Sequence, residues 1–323
     1  MDTTTRPVKY LNNDQVCEIL SVSECIGVIE ELFKDLSKTQ MPPKIYLDIP
    51  NGDFRAMPAV VGSTAGIKWC GVHLDETGTK RKINIFAKVL INDVSSGKLL
   101  AILDGEALTA IRTAAVTGVA TKYLAHKHAK KAAFIGCGNQ TLRQIEAVLS
   151  VRDIETIRLF DLNEERANKL KENLNYLQTR QAAPIDIEVY NDLEDCLWDT
   201  DIVTTLTPSR KPFVKYRYLK PVVHINAVGA DAEGKRELHQ CVTDNVDLVA
   251  FDEWVQCSHS GEIQYAKKKN SSQTWCPISE IIQGTIKTDG CNTTLFDATG
   301  LAIEDVATGR YIYEKLIKSE QHS

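Results

Sequence analysis

The sequence predicts an α/β protein in which a Rossmann-type doubly wound parallel sheet accompanies a smaller α+β domain. Over residues 132–251, short apolar segments alternate with helical segments, which is typical of a parallel sheet with crossover helices. Residues 44–103 instead carry consecutive extended segments separated by turn residues, which favours a mainly antiparallel sheet. The length of 323 residues is that of two domains.

The first third of the chain predicts one helix beside the antiparallel sheet. Ser23 can cap a helix whose apolar residues recur at helical spacing over residues 25–36. Extended segments separated by turn chemistry follow at residues 44–49, 54–61, 66–72, 83–92 and 99–103.

The pattern changes near residue 113. Small residues dominate a predicted helix over residues 114–125, after which we expect two further helices at 140–149 and 164–177. The expected strands lie at residues 132–135, 156–160, 187–190, 201–206, 222–227 and 247–251. A last helix at 302–316 is expected to return to the first domain. The predicted domains are therefore residues 1–118 with 304–323, and residues 119–303.

The composition argues against several classes of protein. With a net charge of −5 and a pI near 5.9, the chain lacks the basic face that nucleic acid requires. No segment reaches the ~18 apolar residues of a membrane span, and residues 1–10 lack the apolar core of a signal peptide. Nine cysteines without paired spacing favour reduced thiols and hence a cytoplasmic location. Basic runs at 126–131 and 267–269 are interpreted as solvated surface.

Gly136 and Gly138 follow a predicted strand and precede a helix. A dinucleotide fold needs glycines there, one for the tight turn and one that lets the pyrophosphate approach the backbone at the helix N-terminus. Thr141 occupies the place of the third glycine of this fingerprint. A purely structural turn is the alternative interpretation of these residues.

Asp161 supports the cofactor interpretation. It ends the next predicted strand, ~20 residues on, where a carboxylate binds both ribose hydroxyls and repels a 2′-phosphate. NAD is therefore expected rather than NADP. Two alternatives stay open, since Asp161 could cap the next helix and Arg166 could turn toward a 2′-phosphate.

Four cations stand inside or beside apolar segments, namely Lys44, Arg55, Lys68 and Arg112. A buried cation requires an anion, and a substrate carboxylate is a natural one. The alternative is that each long side chain extends to the surface, which is more plausible for Lys44 than for Lys68 or Arg112.

Asp231 follows the C-terminal end of a predicted strand, the edge at which ligands bind in open parallel sheets. A carboxylate beside a nicotinamide ring can act as general base. The alternative is an N-cap, because Lys235 and Glu237 are expected on a short helix that follows. Metal ligation is not expected, since Cys70 with His73 and Cys257 with His259 lack a second ligand pair.

Dispersed segments together resemble the ornithine cyclodeaminase/μ-crystallin family, and within it the archaeal-type NAD-dependent alanine dehydrogenases. The matching residues are 40–44 (QMPPK), 55–59 (RAMPA), 67–69 (IKW), 112–115 (RTAA), 134–138 (FIGCG), 207–212 (TPSRKP), 224–231, 237–238 and 296–303 (FDATGLAI) with Asp305. In the phosphate turn Gln140 matches the family, whereas Thr141 replaces its usual alanine.

The resemblance implies a substrate-binding and dimerisation domain, a Rossmann domain that binds NAD, and a homodimer. It assigns catalysis to Asp231 and Lys68, and substrate binding to Arg55 and Arg112 with Lys44 as a further candidate. The implied cofactor contacts are Gly136, Gly138, Asn139, Gln140, Asp161, Thr113, Thr205, Val228, Gly229 and Gly300.

The activity that the resemblance favours is oxidative deamination of a small L-amino acid, with L-alanine giving pyruvate and ammonia. The alternatives are an ornithine cyclodeaminase, a related imine reductase, and a non-catalytic binder of a small ligand, as μ-crystallin-like members suggest. A retained Asp231 weighs against the last, because binding alone needs no base.

Overall fold

The chain divides into two compact units, one of residues 1–113 with 301–323 and one of residues 114–300. The computed structural model describes residues 7–75, 82–180, 184–266 and 273–322. The basic run at 267–269 lies outside the described residues. Both divisions fall a few residues before the expected boundaries after residues 118 and 303. The functions expected for the two domains remain predictions.

The first unit contains a mixed sheet with helices at both chain ends. Its elements, in chain order, are β1 (Lys9–Leu11), α1 (Asn13–Ile19), α2 (Val22–Lys34), β2 (Thr39–Gln40), β3 (Ile45–Ile49), β4 (Gly52–Val61), β5 (Thr64–Asp75), β6 (Lys82–Asp93), β7 (Leu99–Asp104) and α3 (Gly105–Leu124), whose later residues belong to the second unit.

Within the described residues the sheet order is β1-β7-β6-β5-β4-β2. Strand β3 pairs with the first five residues of β4, 52–56, and β2 pairs with its last two. The β1–β7 pair is parallel and every other pair is antiparallel, so the expected antiparallel character is correct. Register places Met57 opposite Lys68 and Arg55 opposite Cys70. Because side chains alternate across a strand, these four share one face of the sheet.

The helix expected at residues 25–36 begins earlier than Ser23. Ser21 is the N-cap of α2, its hydroxyl accepts from the Glu24 N–H at 3.2 Å, and the Glu24 carboxylate returns to the Ser21 N–H at 3.1 Å. This reciprocal pair is a capping box. Ser23 has no acid three residues later and lies inside the helix.

The second unit contains the parallel sheet. Its elements, in chain order, are β8 (Lys131–Ile135), α4 (Thr141–Leu149), β9 (Thr156–Phe160), α5 (Glu164–Arg180), β10 (Asp186–Val189), α6 (Leu193–Leu197), β11 (Ile202–Thr205), β12 (Val223–Ala227), α7 (Gln240–Asn245), β13 (Leu248–Phe251), α8 (Trp254–Ser260), β14 (Thr274–Pro277), α9 (Ile278–Ile282) and β15 (Thr293–Asp297). The chain then returns to the first unit as α10 (Ala302–His322).

The described strands of this unit run in the order β10-β9-β8-β11-β12-β15-β13-β14, all in parallel. The order reverses between β8 and β11, which makes their carboxyl ends a topological switch point, where ligands bind in such sheets. Two buried apolar clusters cover the two sheet faces, one with Ile225 and Val249 and the other with Phe134 and Leu159. The predicted fold class is confirmed.

Several elements differ from the sequence-based expectation, since α1 was not expected and α3 begins at Gly105 instead of residue 114. Strands β14 and β15 were not expected, although all five residues of β15 are buried. The short helix expected for Lys235 and Glu237 does not form, since a turn at residues 232–234 leads to an isolated bridge between Val214 and Leu238.

No described helix combines the length and the apolarity that crossing a bilayer requires.

Candidate functional site

The turn after β8 is built around two glycines that serve different purposes. Gly136 has a φ of +99°, and a Cβ there would lie 3.0 Å from Thr207 Cγ2 and 3.1 Å from the Leu206 carbonyl oxygen. Gly136 is therefore required by the fold itself. A Cβ on Gly138, in contrast, would meet nothing within 4 Å. No packing among the described residues accounts for that glycine, and in this part of the chain it leaves open space beside the backbone.

Thr141 begins α4 and explains the departure from the three-glycine pattern. Its side chain is fully buried, and its hydroxyl donates to the Gly136 carbonyl oxygen at 2.7 Å. A threonine therefore ties the helix to the turn where a third glycine would allow close packing. Asn139 is exposed, and Gln140 directly precedes the helix, with its Oε1 buried and without a hydrogen-bond partner among the described residues.

Asp161 directly follows β9 and holds the turn. Its Oδ2 accepts from the Cys137 N–H at 2.8 Å, and its Oδ1 accepts from the Asn163 N–H at 2.8 Å. The carboxylate therefore lies at the carboxyl edge of the parallel sheet, between the turn that follows β8 and the end of β9. The open space at Gly138, the N-terminus of α4 and this carboxylate fit the pyrophosphate and ribose of a dinucleotide.

Three more cofactor candidates, Thr205, Val228 and Gly229, lie at the carboxyl ends of β11 and β12, beside the switch point. Thr205 ends β11 fully buried, and its carbonyl oxygen accepts from the Val228 N–H at 3.1 Å. Gly229 follows, and its N–H donates to a carboxylate oxygen of buried Glu237 at 3.0 Å. A Cβ on Gly229 would lie 2.4 Å from the Thr207 carbonyl oxygen, so only glycine fits. These loops approach each other closely at the carboxyl ends of the strands.

Gly300 lies in the loop after β15. Its φ is +74°, its N–H donates to Asp252 Oδ2 at 2.8 Å, and its carbonyl oxygen accepts from Gln256 Nε2 at 2.9 Å. Asp252 also accepts from the Thr299 N–H at 2.7 Å. Asp252 therefore orders the backbone of this loop.

Asp231 lies in the loop after β12 and forms an ion pair with Lys235. Its side chain is 36% exposed, so it can reach solvent and a ligand. The N-cap interpretation is wrong, because the described chain from 231 to 239 contains no helix that Asp231 could cap. Among the described residues, no group of three or more His, Cys, Asp or Glu side chains has the arrangement of a metal site.

In the first unit, Lys68 and Arg112 meet at two acids of α10. Lys68 Nζ lies 2.9 Å from Asp305 Oδ2, and Arg112 Nε donates to Asp305 Oδ1 at 2.9 Å. Arg112 Nη1 donates to Glu304 Oε2 at 2.8 Å. Lys68 and Arg112 are 4% and 5% exposed, so neither extends to solvent and the surface alternative is wrong for both.

Burial and mutual repulsion act on the proton affinities of this cluster. Burial, followed by the charge of Arg112, lowers the pKa of Lys68 despite the attraction of Asp305. Burial alone would raise the pKa of Asp305, but Arg112 and Lys68 together hold it below its usual value. The neighbouring cations thus favour the charged form of Asp305, whereas burial and Arg112 disfavour the charged form of Lys68.

Arg55 lies on the same sheet face as Lys68 and pairs with Asp53. Its Nε and Nη2 donate to the two carboxylate oxygens at 2.6 and 3.2 Å, and its guanidinium lies 5.3 Å from the centre of the Tyr46 ring. Lys44 directly precedes β3 and is partly buried. Thr113 follows Arg112 on α3 and is also partly buried.

The structure thus brings Lys68 and Arg112 together at Asp305 in the first unit, and in the second unit it joins Asp161 to the turn after β8 and Thr205 to Val228. The sequence analysis did not identify the acids that bind the predicted site residues. They are Asp53, which pairs with Arg55; Glu237, which accepts from Gly229; and Glu304 and Asp305, which pair with Arg112. A signal existed for two of these, because Glu304 and Asp305 interrupt an apolar segment just as Lys68 and Arg112 do. Buried charges of opposite sign in separate apolar segments predict a pair.

Comparisons with known proteins show which family the chain resembles along its length. The model of the ornithine cyclodeaminase/mu-crystallin family matches residues 9–320. The chain is 36% identical to an alanine dehydrogenase of Archaeoglobus fulgidus, over 95% of this chain and 94% of that protein. It is 32% identical to an ornithine cyclodeaminase of Brucella suis biovar 1, over 91% of this chain and 80% of that protein.

Two solved structures resemble it throughout. One is an archaeal alanine dehydrogenase dimer with bound NAD, with a TM-score of 0.86 at 35% identity over 97% of both chains. The other is the Δ(1)-pyrroline-2-carboxylate reductase of Thermococcus litoralis in complex with NADH and L-proline, with a TM-score of 0.88 at 29% identity over 97% of this chain and 98% of that one.

Proposed function

Because the chain belongs to the ornithine cyclodeaminase/μ-crystallin family, we propose that it is an NAD-dependent enzyme that oxidatively deaminates a small L-amino acid. L-alanine is the substrate that we favour, and pyruvate and ammonia are the products. The observation that carries this choice is the 36% identity to an alanine dehydrogenase along nearly the whole of both chains, against 32% to an ornithine cyclodeaminase.

We propose that NAD binds at the carboxyl ends of the parallel strands. Gly136, Gly138, Asn139 and Gln140 would receive the pyrophosphate, and Asp161 would accept hydrogen bonds from the ribose hydroxyls. The remaining proposed contacts are Thr113, Thr205, Val228, Gly229 and Gly300. When bound, NAD accepts the hydride that leaves the α-carbon of the substrate. The open space beside Gly138 and the carboxylate at the end of β9 support this proposal.

Lys68 and Arg112 would bind the substrate carboxylate, with Arg55 and Lys44 as further cations. An ammonium has three donors and a guanidinium five, more than the hydrogen bonds to Asp305 and Glu304 among the described residues use. The acids orient both cations, so the donors are arranged before the substrate arrives. Such prior orientation lowers the entropic cost of the reaction.

Asp231 would act as the acid–base group. Loss of hydride leaves an imino acid, whose carbon is attacked by water. Asp231 takes a proton from that water as the carbon–oxygen bond forms, and the resulting carbinolamine then releases ammonia to give the keto acid. The partial exposure of Asp231 and its place after β12 support this role.

We also propose that the protein is a homodimer through the first unit. The face of its sheet opposite α10 carries Phe54 and Phe86, which are 37% and 68% exposed, and Trp69, which stacks on Phe54 with ring centres 5.4 Å apart. Antiparallel sheets normally present polar residues to water on their open face. An exposed aromatic face of this kind is typical of an interface, and a related solved structure is a dimer.

Product stoichiometry tests the proposed activity. With L-alanine and NAD, NADH and pyruvate should form in equal amounts, and pyruvate with ammonia and NADH should run the reaction backwards. If L-ornithine instead releases ammonia while NADH stays flat and alanine is inert, the protein is a cyclodeaminase. Reduction of Δ(1)-pyrroline-2-carboxylate by NADH without alanine oxidation would favour an imine reductase. Ligand binding without any turnover would favour the non-catalytic alternative.

The Asp231→Asn variant supplies the matched control. It keeps the size of the side chain and removes the base, so turnover should fall by about 10²–10⁴-fold. NAD affinity, measured by titration calorimetry, should be unchanged, because none of the proposed cofactor contacts is altered. Turnover near that of the unsubstituted protein would exclude the acid–base role.

A further inference from the structure

Three carboxyl groups of the second unit have no part in the chemistry proposed above. They belong to Asp297 at the end of β15, to Glu262 in the 3₁₀ helix Glu262–Tyr265, and to Glu237 between β12 and α7. Each residue is at most 1% exposed. Acids are rarely buried so deeply, because the charged form loses its hydration. A buried acid needs specific hydrogen-bond donors, and here backbone N–H groups supply them.

Successive backbone contacts connect the three acids. The Ile263 N–H donates to Asp297 Oδ2 at 3.0 Å. The N–H groups of Glu237 and Leu238 donate to the two oxygens of Glu262 at 2.6 and 3.1 Å. Strand β15 thus holds the segment that carries Glu262, and Glu262 holds the backbone of Glu237.

At the end of this series, the Glu237 carboxylate joins two loops. The Thr207 N–H, after β11, donates to Oε1 at 2.6 Å, and the Gly229 N–H, after β12, donates to Oε2 at 3.0 Å. A Cβ on Gly229 would lie 2.5 Å from Oε2, so any larger residue would push the carboxylate away. Oε1 therefore binds the loop after β11 and Oε2 the loop after β12, so the carboxylate fixes the distance between the two loops.

We propose that Glu237 is a positioning residue, whose carboxylate sets the separation of the loops after β11 and β12 and thereby the placement of Asp231. The proposal rests on the proposed function, because Asp231 is its acid–base group. The two backbone donors reach different oxygens of Glu237, and a carboxylate offers two acceptor oxygens whereas an amide offers one. Burial raises the pKa of Glu237, so an acid at this position carries an energetic cost that packing alone does not require.

The test compares Glu237→Gln with Asp201→Asn. Glutamine keeps the shape but turns an NH₂ group toward one of the two backbone donors, so one loop loses its acceptor. Asp201 is the matched control, because its Oδ2 also accepts from two backbone N–H groups, those of Lys130 and Lys131, at 2.7 and 2.8 Å. Lys130 and Lys131 lie at the amino end of β8, and Asp201 at the amino end of β11, so this contact is at the edge of the sheet opposite Glu237.

We expect Glu237→Gln to lower kcat by about 100-fold, since a misplacement of about 1 Å has an effect of this size. KM for the amino acid should change far less, because the proposed carboxylate-binding residues are not altered. Amide hydrogen exchange at residues 207 and 229 should become faster. Asp201→Asn should lower Tm and leave kcat of the folded protein unchanged.

Three further results decide the remaining cases. If Glu237→Gln only lowers Tm, with kcat and exchange at 207 and 229 unaltered, the positioning role is wrong. If this variant does not fold, Glu237→Asp keeps both acceptor oxygens on a shorter side chain, which moves them away from the two N–H groups, and it should lower kcat in the same way. If the unsubstituted protein oxidises no amino acid, the proposed function fails separately, and exchange at 207 and 229 still decides the role of Glu237.

Discussion

A single carboxylate, that of Asp161, has a structural role and, in the proposed function, a recognition role as well. It accepts the Cys137 N–H, which fixes the turn that would receive the pyrophosphate, and it presents a negative charge where the adenosine ribose is expected. Substitution by a small residue removes both effects, so a loss of NAD binding would not identify the cause. A substitution that keeps the acceptor oxygen but removes the charge separates the two.

We predict that Asp161→Asn reduces the preference for NAD over NADP by about tenfold, or about 1.4 kcal/mol. With its amide nitrogen in the place of Oδ1, which accepts from the Asn163 N–H outside the turn, asparagine still accepts from the Cys137 N–H, while repulsion of a 2′-phosphate is lost. Dissociation constants of both cofactors, measured by fluorescence titration, provide the readout. Asp161→Ala is the control, and it should weaken both cofactors because the turn loses its acceptor. Tighter binding of NADP than NAD by the unsubstituted protein would refute the assignment.

The loops after the parallel strands depend on buried acids, and their burial makes stability depend on pH. Burial, with a further contribution from Asp252 and Glu237, raises the pKa of Asp297 to about 8. Burial, with the charge of Asp297, raises the pKa of Glu262 to about 9. In the unfolded chain both groups titrate near their ordinary values of about 4. The native state therefore retains protons that the unfolded state has lost.

We predict that the free energy of unfolding falls as pH rises from about 5 to about 9. The sign follows because the native state binds more protons than the unfolded state throughout this interval, and each group contributes at most about 1.4 kcal/mol per pH unit. Urea unfolding at several pH values measures the slope. Asp297→Asn should flatten it, whereas Glu155→Gln, at an exposed carboxylate, should not. A slope that is unchanged in Asp297→Asn would contradict the prediction.

The apolar pattern predicted most strands of both sheets, including strands that are buried at every residue. Strand β9, the fully buried β13 and the five expected strands of the first sheet lie where this pattern indicated. Strand β15 is equally buried but begins with two threonines and ends in an aspartate, so it lacks the apolar run that marks β13. The pairing of Lys68 with Asp305 joins residues 237 positions apart, and no local pattern carries such a contact.

At the scale of the whole molecule, the exposed aromatic face of the first unit predicts self-association. Phe86→Glu should convert the dimer to a monomer, because a carboxylate buried against a second aromatic face would lose its hydration. Sedimentation equilibrium measures the mass directly. Trp198→Glu is the matched control, since Trp198 is equally exposed at 68% but lies in the second unit. A monomeric unsubstituted protein, or a Phe86→Glu dimer, would exclude this face as the interface.

The return of α10 to the first unit also determines the order in which the protein can fold during synthesis. Lys68 and Arg112 leave the ribosome long before Glu304 and Asp305, which follow Arg112 by 192 and 193 residues. Until then the sheet that carries Lys68 lacks both its covering helix and its counter-ions. The parallel sheet, in contrast, is complete once residue 297 has emerged. The inserted unit can therefore fold first, and the unit that begins the chain is the last to reach its native state.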